Sequence, residues 1–141
     1  IEACAMMVEM INNLLDVGKL ESGQMQINLQ PTSLRILTQV IEANQELALR
    51  KGIIIHNRVD INLMVHADEK SLRQVMDNLI SNAVKYSPHW KSITISTEVH
   101  NRDTMVFVRI CVQDEGPGLS ADDKTKLFGN FARLSAMPTA G

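Results

Sequence analysis

The chain has 141 residues, 45% of them hydrophobic, with 14 basic and 16 acidic side chains and a net charge of −2. That length and apolar content suit one globular domain with a sizeable core and exclude a disordered chain. The absence of any basic excess excludes general attraction to nucleic acid or to an anionic membrane surface, so a ligand's phosphates would need local recognition.

The first element in chain order reads as a helix. Ala3, Met7, Met10, Leu14 and Val17 recur at spacings of three and four, a stripe that belongs against another helix. Gly23 is placed like its C-cap, which sets residues 1–23 apart from a domain over 24–141. The period-two stretch MQINLQP predicts a short strand closed by Pro31. TSLRILTQVIEANQELALRKG predicts a helix capped by Thr32 or Ser33 and stopped by Gly52. The β-branched runs IIIHNRV and LMVHAD predict two further strands. Asp68 then caps a helix from about Glu69 to Ser87, ended by Pro88 because the residue before proline is pushed out of the α region. SITISTEV and TMVFVRICVQD read as a hairpin turning at HNRD, and ADDKTKLFGNFARL reads as a last helix. Cys4 and Cys111 read as buried thiols of a reducing compartment. No apolar run approaches the roughly 20 residues that span a bilayer, so the expectation is a soluble, cytoplasmic chain whose parent protein is free to be membrane-tethered.

Two segments carry candidate chemistry. In DNLISNAVKYSP, residues 77–88, the spacing of about 100° per residue gathers Leu72, Val75, Met76, Leu79 and Ala83 on one side of the helix. Asn78, Asn82 and Lys85 fall within an arc of roughly 60° beside that stripe. A carboxamide oxygen there can hold a hard divalent cation, and a lysine one turn on can meet a phosphate. Taken alone, the same row fits a solvated helix face. In DEGPGLS, residues 114–120, Asp114 follows an apolar strand, and Gly116 and Gly118 allow close backbone approach. A carboxylate so placed can accept a hydrogen bond from an exocyclic amine. Taken alone, this segment fits a surface turn.

Taken together, the order of an Asn-x3-Asn-x2-Lys-Tyr helix, two strands, Asp-x-Gly-x-Gly and LFGNF resembles the catalytic ATP-binding domain of sensor histidine kinases, in the fold shared with gyrase, the Hsp90 chaperones and MutL. The resemblance implies an α/β protein of the α+β two-layer sandwich kind, with a mixed sheet of about five strands faced by three helices and preceded by a protruding N-terminal helix. It also makes MINNLLDVGKLESG look like the end of the dimerisation hairpin, and so implies a homodimeric parent. The implied ligands are ATP and Mg2+. Asn82 would hold the metal, Asn78 would stand one turn before it, Lys85 would lie on phosphate oxygens, and Tyr86 would border the nucleotide. Asp114 would read the adenine amino group, helped by the turn at Gly116 and Gly118. Phe128 and Phe131 would anchor a lid, and Arg133 would face the γ-phosphate as a catalytic residue. The implied reaction passes the γ-phosphoryl group to a histidine on the dimerisation hairpin and then to an aspartate of a response-regulator receiver domain.

Departures from the family pattern bound that expectation. His56, His66, His89 and His100 lack the following acidic residue that marks the family's acceptor, and a second Gly-x-Gly box is not found. The resemblance therefore implies that this chain alone does not phosphorylate itself. A degenerate kinase-like module that dimerises with little nucleotide turnover is the alternative. A water-using ATPase is disfavoured, because Asn78 stands where such relatives carry a glutamate that activates water.

Overall fold

A computed structural model describes residues 18–19, 22–23 and 26–127. The expected stripe from Ala3 to Val17, Cys4, and the LFGNF segment beyond Leu127 lie outside these residues. The described elements run β1 (Gln30–Ser33), α1 (Ile36–Arg50), β2 (Ile54–Arg58), β3 (Met64–Ala67), α2 (Glu69–Tyr86), β4 (Ser92–Arg102), β5 (Met105–Gln113) and α3 (Ala121–Lys126). This is the expected α+β fold with a mixed sheet and three helices. The strands divide between two sheets. β1 pairs antiparallel with β3, and the second sheet has the order β2-β4-β5. β2 runs parallel to β4, and β4 antiparallel to β5. A parallel pair needs a long crossover, which β3 and α2 supply here. No described helix is long and apolar enough to cross a membrane.

The core lies between the helices and the three-stranded sheet. Ile93 and Ile95 of β4 are fully buried and alternate with Ser92, Thr94 and Ser96, as the pleat requires. Leu37, Val40, Ile41 and Ala48 of α1 and Met76, Ile80, Ala83 and Val84 of α2 complete that core, with Leu34 and Ile53 from the adjoining turns. One polar bond joins the two helices inside it. The buried Asn44 amide donates to the Val40 carbonyl at 3.0 Å and to Asp77 Oδ1 at 2.8 Å.

Several local expectations hold. Asp68 caps α2, accepting from the Ser71 N–H at 2.8 Å, and Gly52 follows α1 with φ of +64°, a left-handed conformation suited to glycine. Others need correction. Residues 26–29 are not strand, and Pro31 sits within β1 opposite His66, because an edge strand tolerates a residue with no N–H. Thr32 and Ser33 also belong to β1, so neither is the N-cap of α1; that position is Arg35, with no side-chain cap. Pairing with β3 claims both residues. Thr32 Oγ1 bonds the carbonyls of Gln30 and Ala67, each at 3.0 Å, while Ser33 Oγ accepts from the Arg35 N–H at 3.2 Å. The hairpin turn is Asp103–Thr104, with Asp103 at φ of +53°, because cross-strand pairing carries β4 on through His100, Asn101 and Arg102. Cys111 is half-buried, on the sheet face opposite Ile110 and Val112.

The apolar side of α2 is also rotated from its expected position. Val75 and Leu79 are 53% and 46% exposed, whereas Ile80 and Val84 are fully buried. Ile80 and Val84 belong to the buried cluster shared with α1 and with Ile93 and Ile95, and that packing sets the buried side. Truncating Ile80→Ala should therefore cost about 2–5 kcal/mol, and Leu79→Ala under about 1 kcal/mol. Urea unfolding checks both, and equal losses would contradict the orientation of α2.

Candidate functional site

The candidate site is built on α2, and capping explains where that helix starts. The Asp68 carboxylate accepts N–H groups from Ser71 and, at 2.9 Å, from Asn28. These bonds hold its pKa below the ordinary aspartate value, the Ser71 bond contributing most. An ionised cap also suits the positive end of the helix. At the far end the Ser87 N–H donates to the Ala83 carbonyl at 3.0 Å, and Pro88 follows.

Asn78, Asn82 and Lys85 are all exposed, on the flank that their spacing predicts, with exposed Val75 and Leu79 beside them. Unlike Asn44, whose amide is spent on Val40 and Asp77, the first two present carboxamides to solvent. Lys85 Nζ lies 5.7 Å from the centre of the half-buried Tyr86 ring, within reach of a cation–π contact.

The second half of the site is the loop after β5. Asp114 is exposed directly past the end of that strand, and its Oδ1 accepts the Gly116 N–H at 2.7 Å, closing a tight turn. Gly118 has φ of +72°. A Cβ added at Gly116 would sit 2.7 Å from Asp114 Oδ1 and 3.1 Å from the Tyr86 carbonyl oxygen. The loop thus lies against the last turn of α2, at a place where a side chain would crowd the Asp114 carboxylate and the Tyr86 carbonyl. Asn82 stands four residues before Tyr86, roughly 6 Å along the helix axis.

The structure therefore brings Lys85, Tyr86, Asp114 and Gly116 to one end of α2, with Asn82 one turn back, Asn78 two turns back, and Gly118 in the same loop as Asp114. Phe128, Phe131 and Arg133 lie outside the described residues. His56, His66 and His100 are in β2, β3 and β4, and His89 is in the turn after α2. Chemically, a carboxylate acceptor at one end with carboxamides and an ammonium at the other suits a ligand that has a donor group at one tip and anionic groups at the other. No cluster of three or more His, Cys, Asp or Glu side chains suited to a metal occurs among the described residues. A divalent ion at Asn82 would accordingly draw most of its ligands from phosphate and water, which is the habit of Mg2+. Two shallow clefts of about 380 and 360 Å3 flank the first half of α2 around Lys70 and Arg73, away from Asp114. The candidate face itself is open among the described residues.

One residue that braces the site escapes sequence reasoning. Glu115 Oε2 accepts the Ser92 N–H at 2.7 Å and the Ser92 hydroxyl at 2.9 Å, tying the Asp114 loop to the first residue of β4. Its neighbour Asp114 drew attention as the strand-end acid, and no spacing rule reveals a partner 23 positions away.

Comparison with known proteins follows the same geometry. Residues 67–141 match the family described as histidine kinase-, DNA gyrase B-, and HSP90-like ATPase. The chain is 32% identical over 134 residues to the sensor histidine kinase WalK of Bacillus subtilis, covering 94% of this chain and 22% of that protein. It is 35% identical to the adaptive-response sensory kinase SasA of Gloeothece citriformis, covering 91% of this chain and 32% of that one. The chain thus spans a third or less of either relative. Among solved structures, the nucleotide-free catalytic domain of the histidine kinase ThkA is 27% identical with a TM-score of 0.65, covering 74% of this chain and 72% of that one. Full-length ShkA in complex with AMPPNP is 30% identical with a TM-score of 0.72, covering 83% of this chain and 25% of that one.

The Ser92 anchor makes a pH prediction. The two bonds hold the Glu115 pKa below the ordinary glutamate value, the backbone N–H contributing most. A lowered folded-state pKa means that the anchor is fully present above the unfolded-state value and is lost as pH falls through the folded one. Carbon-detected NMR titration of the Glu115 carboxyl should give a low midpoint, and Ser92→Ala, which removes only the hydroxyl donor, should raise it part of the way. An unmoved midpoint would contradict the anchor.

Proposed function

The chain belongs to the histidine kinase-, DNA gyrase B-, and HSP90-like ATPase family, as an ATP-binding catalytic domain of the sensor histidine kinase kind, and from that premise we propose that it binds Mg-ATP across α2 and the Asp114 loop and supplies the γ-phosphoryl group to a histidine of a dimerisation hairpin. The observation that carries this reading is the contact of Gly116 with the Tyr86 carbonyl, which supports one ligand reaching both motifs. AMPPNP in the ShkA complex supports an adenine nucleotide as that ligand.

In this reading Asp114 accepts a hydrogen bond from the adenine amino group, and a base without that donor leaves the carboxylate poorly paired. Gly116 and Gly118 keep the loop free of side chains where the base approaches, and Tyr86 borders the nucleotide. Lys85 neutralises phosphate oxygens as a compact point charge. Asn82 holds Mg2+ through its carboxamide oxygen, and Asn78 supports the same face one turn earlier. An ion held there would supply charge neutralisation to the phosphates. Phosphoryl transfer needs positioning and charge neutralisation more than covalent help, so this set is chemically coherent for its half of the reaction. By the family resemblance, Phe128 and Phe131 would anchor a lid and Arg133 would meet the γ-phosphate.

Asn78 favours one acceptor over the other. Its amide has no basic carboxylate with which to take a proton from water, which favours transfer to a histidine, followed by relay to the aspartate of a response-regulator receiver domain. The segment 1–23 belongs to the dimerisation hairpin of a homodimeric parent, and the chain alone, without an acceptor histidine, does not autophosphorylate.

Equilibrium titration with Mg2+ and a fluorescent ATP analogue tests this reading. Wild type should bind, and Asp114→Asn should bind at least about tenfold more weakly, the cost of a hydrogen bond to a charged group. Equal affinities would favour a kinase-like module that signals through contacts without using nucleotide.

A further inference from the structure

Lys51 has no part in the site described above, yet its side chain ends beneath it. The residue is 4% exposed. Its backbone is held on both sides: the N–H bonds the Ala48 carbonyl at 3.1 Å, and the carbonyl accepts from the Trp90 N–H at 3.1 Å. From that fixed origin the ammonium donates to the carbonyls of Val84 at 2.9 Å, Lys85 at 3.2 Å and Ser87 at 2.8 Å. These carbonyls belong to the end of α2, where intrahelical donors run out. An ammonium has three donors, and a cation suits the negative end of a helix. Burial pulls the Lys51 pKa below the ordinary lysine value, while three carbonyl acceptors favour the charged form.

The carbonyl flanked by those three is that of Tyr86, and it is the one in contact with Gly116. Building on the nucleotide reading above, we propose that Lys51 is a positioning residue of the ATP site. Its ammonium fixes the last turn of α2, so that the Tyr86 carbonyl and the Lys85 side chain hold their places relative to the Asp114 loop. A role confined to stability would follow from burial alone. The coupling to Gly116 follows from which carbonyls are bound.

The test uses the 141-residue chain with Lys51→Met, which keeps the stem and removes the donors, and Lys51→Arg, which keeps the charge. Lys51→Gln replaces Lys51→Met if that variant does not fold. Amide NMR, recorded well below each variant's unfolding midpoint, follows the Ser87 and Gly116 resonances, and a fluorescent ATP analogue with Mg2+ gives Kd. The expected result for Lys51→Met is faster exchange at Ser87, a displaced Gly116 resonance, unchanged β4 amides, and Kd raised about tenfold, equivalent to about 1.4 kcal/mol. Lys51→Arg should recover part of each effect. Wild-type Kd and an unmoved Gly116 resonance in Lys51→Met or Lys51→Gln would overturn the proposal. A wild-type chain that binds no analogue would sink the kinase reading instead, and Gly116, moved or unmoved, would then decide the Lys51 coupling by itself.

Discussion

The close approach between Gly116 and the Tyr86 carbonyl is the constraint on which the rest of the structure depends. With no Cβ at that position, the loop after β5 can touch the final turn of α2. The contact sets the separation between Asp114 and the row of Asn78, Asn82 and Lys85, two groups that the β4–β5 hairpin separates in sequence. Each side of the contact is separately braced. The loop is closed by the Gly116 N–H on Asp114 and anchored by Glu115 on Ser92. The helix is held at its end by Lys51 and in its middle by the bond of Asn44 to Asp77.

α2 serves two environments at once. Its Met76, Ile80, Ala83 and Val84 side is buried in the core shared with α1 and the sheet, and that burial fixes the rotation of the helix about its axis. The opposite flank, with Asn78 and Asn82, is thereby turned outward without needing any interaction of its own. Polar groups that would be costly inside a core are thus turned to solvent by apolar packing behind them. This is why two poor helix formers can stand a turn apart in a helix that remains well formed.

Much of this was legible in the sequence, for physical reasons that can be named. The Asp68 cap, the Pro88 stop and the strands at β2, β3 and β5 follow from local rules about side-chain acceptors, proline sterics and β-branched runs. Asn78, Asn82 and Lys85 share one exposed flank of α2, as their spacing predicts, because helical geometry is rigid. What failed was what depended on partners distant in sequence. Pairing with β3 drew Thr32 and Ser33 into a strand, although their hydroxyls suit a cap. Pairing with β5 carried β4 through His100 and Arg102, although those residues suit a turn. Leu79 counts as apolar on any scale, yet the position of the sheet leaves it half in solvent. Glu115 and Lys51 were invisible for the same reason, since their partners lie 23 and 33 or more positions away.

The central claim is that the asparagine flank of α2 and the Asp114 loop grip one molecule, and paramagnetic NMR tests it most directly. Adding Mn2+ to the chain with an ATP analogue should broaden the side-chain amides of Asn82 and Asn78 most strongly, while the nucleotide alone already shifts the Gly116 amide. A nucleotide that moved Gly116 while its bound Mn2+ left the Asn82 amide sharp would contradict the account, because the two motifs would then be serving different ligands or none in common.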